Sequence, residues 1–273
     1  HFSWQAEIRG SRFDPALLHA DWPGDLAVVF SSSGQVTDDG IKASLQLSKL
    51  QGTLRKRQLT GAGELHIENQ QVRIPALHLQ SGSSSLHING TLAEDLDLLV
   101  RLDSPNFAEC WPGASGRVNM SGFIRGNANK PEIDLKLSGN NVGIAGSSIH
   151  KLQMETAGTM SADGIINGFI RAEKLQLGNI SMATSQLRLT GSPVRHRFEF
   201  ESRNAKVAAG FLLDGAVEDN VWRGTVSRAR FSGQRYGEWR QQQPVSTEVS
   251  TAKAHFSPLC LAIVSSTVCA EGS

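Results

Sequence analysis

Charged residues make up only 19% of this 273-residue chain and balance to a formal net charge of +1. The share is below the roughly 25% typical of globular proteins, and near-neutrality removes the electrostatic case for nucleic-acid binding. No apolar run approaches the 18 or more residues of a membrane-spanning helix. The opening His1-Phe2-Ser3-Trp4 has neither an initiator methionine nor the pattern of a signal peptide, so the chain reads as a segment of something longer. GxSxG elbows, HExxH pairs and Walker-type lysine loops are all missing. Gly61-Ala62-Gly63 opens like a dinucleotide loop, but Leu65-His66-Ile67 continues as a strand where a helix is required. Nothing here argues for an enzyme or a cofactor. Outward carboxylates such as Glu199 and Glu201 are what a β-solenoid lyase would use, but a single tyrosine and scattered tryptophans speak against a polysaccharide-binding face.

What the chain does have is alternation, punctuated by 27 glycines. In Ile133-Asp134-Leu135-Lys136-Leu137-Ser138 the apolar side chains point one way and the polar ones the other, as successive residues of a strand do. The same pattern places Leu45, Leu47, Leu65, Ile67, Leu77, Leu79, Leu86, Ile88, Leu96, Leu98, Val118 and Met120 on an apolar face. Further along it adds Leu152, Met154, Leu175, Leu177, Leu187, Leu189, Phe198 and Phe200. Strands recur about every 8–12 residues, with turn signals such as Ser33-Gly34, Asp39-Gly40, Asn89-Gly90, Asp163-Gly164 and Ser232-Gly233 between them, which predicts an all-β architecture. The one helical turn expected lies near 14–20, where Asp14 can cap and Pro15 suits the first position. Degenerate repeats such as Leu86–Leu92 and Leu187–Ser192 fit a quasi-one-dimensional fold. We read residues 1–243 as one continuous repetitive segment and 244–273 as terminal strands.

Three side-chain groups call for weighing. His66, His78 and His87 each sit between apolar neighbours and so point to the polar face. A metal ladder there lacks the usual ligand spacing, and the expectation is a solvated stripe with no metal. Arg interleaved with Trp222, Phe231, Tyr236 and Trp239 resembles a nucleic-acid platform but is more simply aromatic packing under arginine stems. Cys260 and Cys269 flank an eight-residue stretch able to form a hairpin. They are either a disulfide worth roughly 2–3 kcal/mol or two buried thiols, and Cys110 reads as a lone buried thiol.

Several motifs in order resemble one family. Phe13-Asp14-Pro15 with Trp22-Pro23-Gly24-Asp25-Leu26 comes first, then Leu47-Ser48-Lys49-Leu50-Gln51-Gly52-Thr53-Leu54-Arg55 and Gly61-Ala62-Gly63-Glu64-Leu65. Trp111-Pro112-Gly113, Gly116-Arg117-Val118, Gly122-Phe123-Ile124-Arg125-Gly126 and Pro131 follow, and then Trp222-Arg223-Gly224, Trp239, Pro244 and the Cys260/Cys269 pair. This succession resembles the TamB family of translocation and assembly module subunits in diderm bacteria, without the family's membrane anchor and carboxy-terminal docking domain. The resemblance implies a β-taco, a long sheet folded lengthwise around a hydrophobic groove, in the periplasm as part of an inner-membrane-anchored protein. It implies phospholipid acyl chains as cargo, moved between the inner and outer membranes, with an outer-membrane barrel subunit and flanking segments of the same chain as partners. Some twenty strands would extend on the order of 90 Å. The alternative is a chaperone-like scaffold holding barrel strands by edge pairing. Alternation is the same for an open groove and for a filled sandwich core, so the residues leave that choice open.

Overall fold

The computed structural model describes residues 2–17, 20–38, 40–192, 194–218, 221–250, 254–264 and 266–272. Leu18 and His19 of the expected helical turn and Asp39 of the expected Asp39-Gly40 turn lie outside the described residues. The fold class is all-β: antiparallel strands follow one another in chain order, and among the described residues the helical segments are two 3₁₀ turns. Contacts divide the chain into two compact units, residues 1–145 and 146–273. The segment boundary expected near residue 243 falls within the second unit, between two of its strands.

The first unit holds β1 (Phe2–Phe13), β2 (Gly24–Thr37), β3 (Gly40–Leu54), β4 (Arg57–Glu68), β5 (Gln71–Ser81), β6 (Ser84–Leu92), β7 (Asp95–Ser104), β8 (Ser115–Asn127) and β9 (Glu132–Ile144). Each pairs with the next, so the unit is a meander nine strands wide. At about 4.8 Å per strand its ladder runs roughly 40 Å. The 3₁₀ turn Pro15–Leu17 follows β1, and Asp14 begins it. The Asp14 carboxylate accepts from the Ala16 amide at 3.0 Å and the Gly24 amide at 2.8 Å, which hold its carboxyl below the usual carboxylate range.

The second unit holds β10 (Ser147–Thr159), β11 (Ile166–Leu177), β12 (Ile180–Gly191), β13 (Arg195–Arg203), β14 (Val207–Glu218) and β15 (Val221–Gly233), each paired with the next. β15 then pairs at one end with β16 (Gly237–Gln241) and at the other with β17 (Val245–Val249), because both are short. β18 (Ala254–Ile263) pairs with both of these and with β19 (Ser266–Gly272). In that last hairpin Cys260 lies directly opposite Cys269 and the two sulfurs are bonded, with the Cα atoms 4.1 Å apart.

Alternation alone does not keep the apolar residues in phase. Leu47 and Leu50 are three apart and should face opposite ways. β3 fits two residues, Ser48 and Lys49, where β2 has Val29 and β4 has Ala62, and this bulge returns Leu50 to the face of Leu47. β5 does the same between Ile74 and Leu77, with Pro75 and Ala76 opposite the single Asn89. Proline is tolerated at a bulge because no ladder N–H is needed there.

Candidate functional site

The register assembles the apolar positions into rows that run across the strands. One row of the first unit is Ile8, Phe30, Leu47, Gly63, Leu77, Ile88, Val100, Gly122 and Leu135, one residue from each of the nine strands. Its neighbour is Gly10, Val28, Leu50, Gly61, Leu79, Leu86, Leu102, Met120 and Leu137, again unbroken. Shorter rows on the same face carry Leu45 opposite Leu65, Ile67 opposite Val72, and Leu98 with Ile124 and Ile133. Leu96 lies opposite Gly126, and Val118 lies between Ser104 and Gly139. All fifteen residues expected on the apolar face between Leu45 and Leu137 share it.

Glycines belong to these rows because their neighbours lie over them. A Cβ added at Gly61 would stand 2.6 Å from Leu79 Cδ2, one at Gly63 would stand 2.8 Å from Leu77 Cδ1, and one at Gly122 would strike Leu135 Cδ2. The leucine on the adjacent strand therefore folds flat across the gap, and the face remains apolar through each glycine.

The second unit repeats the arrangement over fewer strands. Met154, Ile170, Leu187, Phe200 and Phe211 form one row, and Gly168, Leu189, Phe198, Leu213, Val226 and Val245 another. Leu152 joins Ala172, Ser185, Ser202, Ala209 and Phe231. Leu175 and Leu177 are placed differently: they pair with Met182 and Ile180, an odd number of residues beyond Ala172, with Lys174 in the left-handed region (φ 51°) between. The rows do not include them, and Leu177 is exposed at its strand end.

The opposite face is charged. Lys42 meets Glu68 at 2.7 Å, Asp97 meets Arg125 at 3.0 Å, and Arg197 meets Asp214 at 2.6 Å, each pair directly opposed across neighbouring strands. Such solvent-exposed pairs are screened by water and add little to stability. They do, however, mark this face as the wet one.

Burial across the apolar face of the first unit is uneven. Along one margin, Leu26, Leu54 and Leu59 are buried and pack with Trp22 and Leu50. Ser84, Ser104, Ala114 and Val118 are also buried there, Val118 to 3% exposure. The 3₁₀ turn Phe107–Glu109 folds over this margin. Its Glu109 carboxylate is buried and accepts from Ser84 Oγ (2.7 Å), Ser83 N (2.9 Å), Ser83 Oγ (3.0 Å) and Arg57 Nη1 (2.9 Å). Burial is the largest single influence and opposes ionisation, but these donors together outweigh it and hold the carboxyl below its ordinary range. Ser84 also shares a hydroxyl bond with Ser104 at 2.9 Å, and the second unit has a matching buried pair, Ser185 and Ser202, at 2.6 Å. At the opposite margin Val36 is 40% exposed and Ile41 47%. Between the margins, Leu47, Leu77, Ile88 and Leu135 are half-buried.

Among the described residues no three His, Cys, Asp or Glu side chains gather as a metal set. Among the same described residues no helix is long and apolar enough to cross a membrane. Reading alternation strand by strand missed Val100, Leu102, Ile124, Ile170 and Leu213, all of them row members. Their signal was their spacing from the neighbouring picks, as Val100 and Leu102 continue Leu96 and Leu98 at steps of two.

Comparison with known proteins addresses the family directly. A "Translocation and assembly module subunit TamB" of Haemophilus influenzae is 24% identical over 235 residues, which is 84% of this chain and 18% of that protein. The chain thus spans less than a fifth of the length of that relative. No solved structure matches it. The family model described as the N-terminal domain of TamB matches residues 1–273. A match over the whole chain leaves one assignment: this chain belongs to the TamB family, in the part described as its N-terminal domain.

Proposed function

We propose that this chain forms part of a periplasmic trough that carries phospholipid acyl chains between the inner and outer membranes. In this reading it works within a translocation and assembly module whose partner is an outer-membrane barrel subunit. The observation that supports it most is that the apolar rows keep part of their surface open to solvent. Nine strands present unbroken rows of apolar residues and Gly on one face, yet dry burial gathers along one margin, with Ile133 the buried residue away from it. A filled sandwich core would bury the middle of that face instead.

The energetics suit a non-specific apolar cargo. Each methylene removed from water contributes about 0.8 kcal/mol, so a dozen methylenes lying along a row gain roughly 10 kcal/mol without any polar contact. Rows lined by Leu, Met and Gly offer no hydrogen-bonding group to arrest movement along them. The charged outer face keeps the wall wetted and distinguishes inside from outside.

The test is a photo-crosslinking residue at Leu135, with Lys136 as its outward neighbour, in the full-length protein in intact cells. Lipid adducts at Leu135 and none at Lys136 are expected. Equal adducts at both positions, or none at either in folded protein, would overturn the reading, and the second result favours a β scaffold that holds barrel strands by edge pairing.

A further inference from the structure

The histidines on the outer face are brought together in a way their spacing does not reveal. His78 of β5 and His87 of β6 are direct cross-strand partners. His78 Nδ1 lies 3.1 Å from both Nδ1 and Nε2 of His87, and the ring centres are 4.2 Å apart. His66 stands elsewhere: it lies opposite Arg73, and its Nε2 meets Glu64 at 2.9 Å. The three do not form a ladder; two of them form a pair.

Two imidazole nitrogens on one cation, each about 2.0–2.1 Å from it and subtending 90–110°, stand about 2.9–3.4 Å apart. The His78–His87 separation lies inside that window, but His78 Nδ1 is equally near both nitrogens of His87 and so looks onto that ring. A shared cation requires the His87 ring to turn until one lone pair converges with that of His78. Their placement is set by the backbone, since directly opposed residues hold their Cβ atoms about 4.5–5.5 Å apart whatever the rotamers. The rings are reachable from solvent, so water can complete the coordination, and Ala62, opposite His78, adds no bulk beyond a methyl group. Arg101, opposite His87, is the one neighbouring charge in this row and opposes a cation.

We infer that His78 and His87 form a two-histidine clamp for a borderline divalent transition cation, with copper(II) held more tightly than zinc. Imidazole nitrogen favours these ions, and the order follows the general affinity series. Bound there, the ion ties β5 to β6 and stabilises their pairing, since whatever binds only the folded state stabilises it.

The experiment titrates full-length protein with copper(II) alone, by calorimetry and by electron paramagnetic resonance. Wild type is expected to take up one ion with two-nitrogen hyperfine structure. H78N and H87N should each weaken that uptake at least tenfold, H66N should leave it unchanged, and R101Q should tighten it. The separation is also that of an N–H···N bond between two neutral rings, which predicts different results. If H78N and H87N bind copper as wild type does, or if the nitrogen signature disappears in H66N instead, the clamp is refuted.

Discussion

Replacing Glu109 with alanine tests whether the turn over the buried margin is held by one carboxylate. The side chain receives four donors: two from Ser83, one from Ser84 and one from Arg57. Breaking a buried charge pair costs about 3–5 kcal/mol when the remaining partner is stranded. Here the stranding is partial. Ser84 keeps its bond to Ser104, and the Arg57 side chain, 37% exposed, regains water. The Ser83 amide and hydroxyl lose their carboxylate, so we expect a loss near the lower bound, about 3 kcal/mol, read by urea unfolding. Acid should act through the same group. Glu109 has a depressed folded pKa, so its contribution is fully present above the unfolded glutamate value of about 4.3 and is lost as pH falls through the lower folded value. The stability difference between wild type and Glu109→Gln should therefore be constant above about pH 5 and shrink below about pH 4.3. A Glu109→Ala loss under 0.5 kcal/mol, or a wild-type minus Glu109→Gln difference that does not change with pH, would refute the argument.

Two more expectations concern the strands themselves. Gly122→Ala places a Cβ 2.9 Å from Leu135 Cα and should cost about 1–3 kcal/mol in unfolding free energy, whereas Gly168→Ala meets Leu189 Cβ at 3.3 Å and should cost less; equal costs would contradict the covered-glycine account. Cys260→Ser opens a bridge between residues nine apart and should cost about 2.7 kcal/mol by chain entropy, with amide exchange rising in β18 and β19 and not in β10 to β13.

Much of this architecture can be read from residue order because nearest-neighbour strands need only local signals. Leu86-His87-Ile88 specifies a strand and its two faces, and Asn89-Gly90 continues that strand rather than turning it, since Gly90 lies within β6 opposite Leu98. The turn there falls after Leu92. Bulges are harder to see. Nothing in Leu47-Ser48-Lys49-Leu50 announces that two residues will face one, because the shift is settled by how β2 and β4 align on either side. The glycines were legible as punctuation but not as members of the apolar face, a role that depends on a leucine from the next strand. Glu109 was wholly opaque, as its partners stand 25 to 52 residues away. The His78–His87 pair was half legible: alternation gave the face, and only the register gave the contact.

The two margins of the first unit bear on what its apolar face is for. Hydrophobic area left in water costs about 25 cal/mol per Å², so a face that served only to stabilise the fold would bury its centre before its margin. Most of the burial runs the other way: Leu54, Leu59 and Val118 are buried at the margin while Leu77, Ile88 and Leu135 between keep part of their surface open, and Ile133 is the buried exception. The bulges at Ser48-Lys49 and Pro75-Ala76 sharpen the point, since each gives up ladder regularity to return a row to this same half-exposed face. Keeping rows in phase across nine strands adds little if each row only touches its neighbours, because cross-strand pairs are satisfied two at a time. It matters to a mobile apolar cargo that must meet Leu, Ile or Val at every step of about 4.8 Å along the ladder. On the trough reading, the margin closed by Glu109 and Trp22 is a wall, and the margin at Val36 and Ile41 is where such a cargo gains access.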